Sequence, residues 1–218
     1  MAQYMFNVPP SISPMMDLAK MLAKIELIES LQDENFRVYR QARAGLASFP
    51  TDLYQAKGQL ASSAYLAMAI KPHIYHVVAY CEADHAANAD DIIESCKIVR
   101  GVIRNTFLGT VDITLDKKVQ DRKNQLISEA MIILNAIKQL NPTAKDPLAD
   151  ASTIAKAIEI GILDAPHLKG NPAACGKLVT RLTDGALYAY DPVEKRILTE
   201  KERIDRILGQ AEKKAVFA

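Results

Sequence analysis

The sequence predicts a helix-rich α/β protein whose parallel β/α units form a partial, half TIM barrel with additional long helices. Amphipathic segments alternate with short apolar segments, which is typical of parallel β/α architecture. We expect three or four strands, and a closed eight-stranded barrel needs about 250 residues, whereas this chain has 218. Residues 1–150 hold the main β/α units. Residues 151–218 add a β/α segment and a terminal helix, within one expected structural domain.

The first predicted element is an amphipathic helix after an irregular segment, residues 1–12. Ser13 before Pro14 is a good helix start, because proline has the φ angle of the first helical turn and no N–H to leave unpaired there. The spacing of the apolar residues then predicts one buried helical face. That face consists of Leu18, Met21, Leu22, Ile25 and Ile28.

Two strands with a helix between them come next. Residues 35–46 predict a strand that ends near Gly45, and Thr51 or Asp52 caps the following helix. Residues 73–82, HIYHVVAYCE, give the clearest strand signal. They are β-branched, aromatic and too apolar for a solvent-exposed edge.

The rest of the chain is mostly helical. A helix capped near Asn88 and a long helix ending before Pro142 precede a short helix that begins at Ser152 or Thr153 and stops at Gly161. Three weaker signals follow. They are a brief strand in ILDAP (162–166), a hairpin-like or edge segment in GALYAYDP (185–192), and a capping box formed by Thr199 and Glu202 for the last helix.

Composition excludes several classes of function. A net charge of +1, with Lys and Arg spread along the chain, favours neither nucleic acid nor an anionic membrane. We find no signal peptide and no apolar stretch of membrane-spanning length, and we expect a cytoplasmic protein. Cys81, Cys96 and Cys175 are far apart and lack C-x-x-C spacing, which argues against disulfides and structural zinc. We therefore expect no metal.

Polar residues follow the clearest strand, where parallel α/β folds bind their ligands. We predict Glu82, Asp84 and His85 as catalytic residues, a carboxylate and an imidazole meeting at a bound ligand. His76 shares a strand face with Glu82 if the strand continues with its period of two. In the alternative interpretation, Asp84 and Asn88 only satisfy the amides of a loop and a helix cap.

The candidate substrate-binding residues are Arg40, Arg43 and His76. Arginine holds carboxylates and phosphates through paired donors, and exposed surface charge is the alternative role for both arginines. A metal site formed by His76, Glu82 and His85 would have no characteristic spacing. Patterns for nucleotide binding, G-x-G-x-x-G or Walker A, do not occur.

Three stretches resemble the large, E-type subunit of glutamate mutase (methylaspartate mutase). GLASFPTDLYQA (45–56) resembles a strand–helix segment with an F-P-x-D core. HIYHVVAYCEADHAANADDIIESCKIVRGVI (73–103) resembles a later strand, its Glu-Ala pair and a capped helix. GILDAPHLKGNPAACGKLVTR (161–181) resembles a late segment of that family. The resemblance covers roughly residues 40–106 and 160–185, the later half of a subunit about twice this length.

The resemblance implies a component of a cobalamin-dependent carbon-skeleton isomerase, with adenosylcobalamin as cofactor. It also implies that Glu82 contacts the adenosyl ribose, although Val78 stands where the family has a lysine. A second subunit or self-association would complete the barrel, and a separate subunit would carry the corrinoid. The alternatives are a corrinoid-linked methyltransferase, another barrel enzyme for a small acid, and a non-catalytic assembly subunit.

Asp164, His167 and Gly170 are spaced D-x-x-H-x-x-G, one residue longer than the corrinoid signature D-x-H-x-x-G. In the resembled family that signature lies on another subunit, so we do not interpret this segment as a degenerate copy. Asp164 and His167 are candidate cofactor-binding residues that face the ligand from a loop. The alternative is a loop whose aspartate binds local amides.

Overall fold

The computed structural model describes residues 2–7, 13–45 and 49–216, and the chain divides into two units, Met1–Ile127 and Ser128–Ala218. The first unit contains β1 (Ala2–Asn7), α1 (Pro14–Glu29), β2 (Arg37–Arg43), α2 (Leu53–Met68), β3 (Ile74–His76), α3 (Ala89–Phe107) and the start of α4 (Lys117–Leu140). The second unit contains the end of α4, then α5 (Ala151–Ile160), β4 (Thr180–Thr183), β5 (Ala186–Asp191), β6 (Arg196–Ile197) and α6 (Glu200–Val216).

A parallel sheet with the strand order β1-β2-β3 organises the first unit. Each strand is followed by a helix, so the predicted parallel β/α pattern is confirmed for this unit. The expectation of an irregular segment over residues 1–12 is wrong for 2–7, because that stretch pairs with residues 37–42 of β2. Residues 8–12 lie outside the described part of the chain.

Helices α1 and α2 form as their sequences predict. Pro14 occupies the first turn of α1, and the side chain of Ser13 makes no capping hydrogen bond. Leu18, Met21 and Ile25 are buried against β2 and α2, while the other two predicted core residues, Leu22 and Ile28, pack at the margin of that core. Asp52 caps α2 by accepting the Gln55 N–H at 2.8 Å.

Strand β3 is much shorter than the sequence predicts, Ile74–His76 rather than 73–82. Its neighbour β2 ends at Arg43, which pairs with His76, so beyond that point no strand remains to accept the ladder hydrogen bonds. The Tyr80 N–H bonds instead to Ser95 Oγ at 3.1 Å. The prediction that His76 and Glu82 share a strand face is therefore wrong, because Glu82 lies in a turn.

An antiparallel sheet with the order β4-β5-β6 belongs to the second unit. The hairpin signal in residues 185–192 is confirmed, because β5 pairs with β4. With this sheet the described residues contain six strands, so the expected three or four is too low. The sequence underestimates the count because β4 and β6 are only four and two residues long.

For the helix ends of the second unit, some predictions are confirmed and others are wrong. Helix α5 stops at Gly161, whose φ of 93° suits glycine, but its N-cap is Asp150 rather than Ser152 or Thr153. Residues 162–166 do not form a strand and lead into a short 3₁₀ helix, Pro166–Leu168. The capping box of α6 is confirmed, because the Thr199 N–H bonds to the Glu202 carboxylate at 2.8 Å.

The protein is thus a helix-rich, mixed α/β structure with one small parallel sheet and one small antiparallel sheet. No closed barrel occurs among the residues that the structure describes. Within the same residues, no helix is both long and apolar enough to cross a membrane.

Candidate functional site

The residues after β3 form a tight turn that brings a histidine over a buried cysteine. Asp84 N–H and His85 N–H both donate to the carbonyl of Cys81, at 2.8 and 2.9 Å. Cys81 is completely buried in the core between α2 and α3, whereas the His85 side chain remains 41% exposed. The turn therefore connects the core of the first unit to its surface.

Helix α3 begins beside this turn and supplies a third group. Asn88 caps the helix by accepting the N–H groups of Asp90 and Asp91, and Asp91 accepts the Asn88 N–H at 3.0 Å in return. This capping box fixes the carboxylate of Asp91 at the first turn of the helix. The predicted cap near Asn88 is confirmed.

His85 bridges two carboxylates. Its Nδ1 lies 2.7 Å from Asp84 Oδ2, and its Nε2 lies 3.2 Å from Asp91 Oδ2. Hydrogen bonds to Asp84 and then Asp91 raise the pKa of His85, because both favour the doubly protonated imidazolium. The sequence prediction paired Asp84 with His85 correctly in space, and it missed Asp91.

Asp91 also connects the turn to a wider polar network. Its Oδ1 lies 2.9 Å from the Tyr80 hydroxyl, which is also 3.0 Å from Glu94. The Asn88 amide and the Tyr80 hydroxyl hold the pKa of Asp91 below its usual value. Lys57 pairs with Glu94 at 2.7 Å and lies 4.5 Å from the centre of the Tyr80 ring.

We call Cys81, His85 and Asp91, together with the neighbouring Asp84, the β3–α3 cluster. One donor atom from each of Cys81, His85 and Asp91 lies within 4.8 Å of the other two. Among the described residues, no other group of three His, Cys, Asp or Glu side chains meets this condition. Burial, followed by the nearby Asp91, raises the pKa of the Cys81 thiol, which opposes a role as a free nucleophile.

Glu82 takes a separate position. Its Oε1 accepts the Ala79 N–H at 3.2 Å, and the residue is exposed.

The signal for the members of the cluster that the sequence prediction missed was present in the sequence. Cys81 precedes His85 by four residues, and Asp91 lies at the third position after an asparagine cap. Because we predicted one long strand over residues 73–82, we did not expect the turn that brings these side chains together.

The predicted substrate-binding residues have different environments. Arg40 forms a bidentate pair with Glu29 at 2.6 and 2.8 Å and donates to the carbonyl of Ile70, so its guanidinium is engaged. Arg43 and His76 are register partners at the carboxyl ends of β2 and β3. That edge is where a parallel sheet presents residues to ligands.

Asp164 and His167 are not brought together as a ligand pair. The Asp164 carboxylate accepts four backbone N–H groups at 2.8–3.0 Å, from Ala165, Gly176, Lys177 and Leu178. Burial alone would raise the pKa of Asp164, but these amides hold it below its usual value. His167 is exposed on the 3₁₀ helix. This arrangement matches the alternative in which the aspartate binds loop amides.

A cavity of about 630 Å³ lies within the second unit, next to Asp164. Its walls include Cys175, Tyr190 and two arginines of α6, Arg203 and Arg206. Both arginines are paired: Arg203 with Glu200 and the carbonyls that end α5, Arg206 with acidic residues of the β5–β6 hairpin. The cavity thus contains none of the residues of the β3–α3 cluster.

No protein-family model matches the chain, and no curated protein matches it.

Proposed function

We propose that this chain is an enzyme subunit that acts on a small carboxylic acid at the carboxyl edge of its parallel sheet. The resemblance suggests that this enzyme is a cobalamin-dependent carbon-skeleton isomerase. The observation that carries the proposal is the position of Asp84 and His85, in the turn that connects β3 to α3. Parallel α/β folds bind their ligands at this edge. The proposal places the protein in the cytoplasm.

The order of the strands supports a barrel-type subunit. Consecutive parallel strands that are neighbours in the sheet, each followed by a helix, also make up a TIM barrel. The first unit contains three such strands. A complete barrel would require strands from a second subunit or a second copy of this chain, because the sheet edges would otherwise lack partners.

Arg43 and His76 are the residues best placed to hold a substrate carboxylate. They are neighbours across β2 and β3, at the carboxyl ends of both strands. Glu82 is exposed on the turn beyond, where its carboxylate can accept hydrogen bonds from ligand hydroxyls. Adenosylcobalamin would supply the radical chemistry, and this chain would bind and orient the acid.

The fit to a corrinoid is only partial. Glu82 is compatible with a ribose contact, but Asp164 is fully used by loop amides and His167 is three residues away on an exposed turn. These two residues do not form an aspartate–histidine pair of the kind in which the histidine replaces the lower ligand of a corrinoid. The proposal therefore assigns that role to a separate cobalamin-binding subunit.

The direct test is a spectroscopic titration of the purified chain with adenosylcobalamin and methylcobalamin, alone and with a D-x-H-x-x-G partner protein. We expect a saturable spectral change that Glu82→Gln weakens and that Glu34→Gln, a change at an exposed loop glutamate, leaves unaltered. A response to methylcobalamin alone would favour the methyltransferase. A flat titration with every corrinoid would rule out both corrinoid enzymes.

A non-catalytic assembly subunit is the second candidate, and an exposed apolar segment favours it. Phe107, Leu108, Val111 and Leu115 are 74–84% exposed at and after the end of α3. Such a concentration of large apolar side chains is typical of interaction surfaces. In this proposal the segment would bind a second copy of the chain.

Sedimentation velocity over a range of concentrations tests the assembly candidate. We expect a dimer that dissociates on dilution, and the double variant Phe107→Ser, Leu108→Ser should remain a monomer. Tyr54→Ser is the matched control, because Tyr54 is 86% exposed on α2 outside this segment. A wild-type chain that is monomeric at every concentration would contradict the proposal.

A further inference from the structure

We propose that Cys81, His85 and Asp91 bind one divalent metal ion of the zinc class. The proposal goes beyond the function proposed above, because neither the isomerase nor the assembly role requires a metal at this place. It also reverses the expectation of no metal, which was based on the spacing of the cysteines and of His76, Glu82 and His85.

The donor atoms have the composition and spacing of a zinc site. Zinc in proteins is bound tetrahedrally by thiolate, imidazole and carboxylate, with bonds of about 2.0–2.3 Å, which puts neighbouring donors roughly 3.5 Å apart. His85 Nε2 and Asp91 Oδ2 are already 3.2 Å apart, and all three donors lie within 4.8 Å of one another. Small side-chain rotations close the remaining gap.

Asp84 gives His85 the orientation that a metal ligand requires. Metal-binding histidines usually donate their second ring N–H to a carboxylate, which fixes the tautomer and strengthens the ligand. In this protein Asp84 Oδ2 lies 2.7 Å from His85 Nδ1. The other nitrogen, Nε2, therefore points to Asp91, on the side where the metal would lie.

The remaining two ligands are held by the fold. Cys81 is completely buried in the core beside Leu60 and Val99. Asp91 is only 7% exposed and is fixed by the capping box of α3 and by the Tyr80 hydroxyl. Preorganised ligands bind metal without an ordering cost. A thiolate and a carboxylate also balance the two charges of the ion.

The donor set indicates which metals fit. A soft thiolate with an imidazole suits Zn²⁺ and Co²⁺, whereas Mg²⁺ and Ca²⁺ prefer oxygen ligands. Three protein ligands leave a fourth position of the tetrahedron open, as in catalytic zinc sites. We place that position on the solvent side of the cluster, because His85 is its most exposed ligand.

Cobalt titration is the test. The chain, purified without a histidine tag and stripped with a chelator, is titrated with Co²⁺ in the absence of any corrinoid. We expect binding of one ion with a thiolate-to-cobalt charge-transfer absorption, which Zn²⁺ then abolishes. Cys81→Ser should remove this absorption, and Cys96→Ser and Cys175→Ser should keep it.

A second pair of variants keeps the test decisive if Cys81→Ser does not fold. His85 is on the surface, so His85→Gln should fold and weaken cobalt binding by at least tenfold, while His167→Gln, at another exposed histidine, should not. No charge-transfer absorption in the wild-type chain, or one that survives Cys81→Ser, would overturn the proposal. Cobalt binding with a flat corrinoid titration would support the metal site and reject the isomerase.

Discussion

Asp91 and Asp164 each fix a loop, one in each unit of the chain, and each accepts at least three hydrogen bonds. All four donors to Asp164 are backbone amides. Asp91 accepts one capping amide, while its other partners are the side chains of Tyr80 and His85. Backbone amides cannot change protonation state or leave the carboxylate without unfolding the loop, whereas side chains can ionise, rotate and exchange a proton for a metal.

The two aspartates represent two kinds of carboxylate that look alike in sequence. A carboxylate with only backbone partners stabilises the local fold, and removing it costs stability. A carboxylate shared with an imidazole and near a thiol can lose one partner and still hold its helix cap. The two aspartates should therefore respond differently to substitution, in stability and in metal binding.

The largest expected effect is on the stability of the second unit. Asp164→Asn keeps the shape of the side chain but turns an NH₂ donor toward amide donors, and we expect a loss of about 2–3 kcal/mol in the free energy of unfolding. Urea unfolding followed by circular dichroism measures it, with Asp205→Asn on exposed α6 as control. Equal midpoints for the two variants would contradict the structural role of Asp164. Cobalt binding should be unchanged in both.

A loss of similar size is expected at Gly176, which closes the same loop. A Cβ atom there would lie 2.7 Å from the carbonyl oxygen of Leu168, and its φ is 61°. Gly176→Ala should cost about 2–3 kcal/mol through backbone strain and steric overlap. Gly170→Ala is the matched control, because Gly170 also has positive φ but open space around it, and it should cost about 1 kcal/mol. If the two variants lose the same free energy of unfolding, the close approach of Gly176 to Leu168 does not contribute to stability.

Asp150 should make the stability of the second unit depend on pH. Hydrogen bonds from Ser152 and Thr153 lower the pKa of the α5 cap, Asp150, from 3.8 to about 2. Because the folded pKa is depressed, the stabilisation is present above the unfolded pKa and is lost as pH falls through about 2. The difference in unfolding free energy between wild type and Asp150→Asn should be constant above about pH 5 and shrink below it. A difference that stays constant down to pH 2 would contradict this assignment.

Local signals predicted the parts of the fold that depend on neighbouring residues. The amphipathic face of α1, the Asp52 cap and the capping box of α6 each involve residues within about three helical turns, so the sequence alone specifies them. The length of β3 does not follow from its own composition. It depends on where β2 ends, and β1 likewise exists because β2 is its partner.

For the candidate site, too, the sequence predicted only what adjacent residues and general fold rules determine. Asp84 and His85 are adjacent in sequence, and their placement beyond a strand followed from general rules for α/β folds. The structural role of Asp164 could not be predicted from its neighbours in sequence, because its partners at 176–178 are twelve or more residues away. Cys81 lies in the core, but only the turn shows that it lies beneath His85.

The smallest expected change in stability, and the sharpest contrast with Asp164, is at Asp84. Its carboxylate is about half exposed and contacts His85, so Asp84→Asn should change the unfolding free energy by less than about 0.5 kcal/mol. The same variant should weaken cobalt binding by about 10- to 100-fold, because His85 loses the carboxylate that orients it. Parallel urea and cobalt titrations of one preparation measure both. If Asp84→Asn lowered stability as much as Asp164→Asn does, the distinction between side-chain and backbone partners would fail, and Asp84 would belong with the loop-fixing residues.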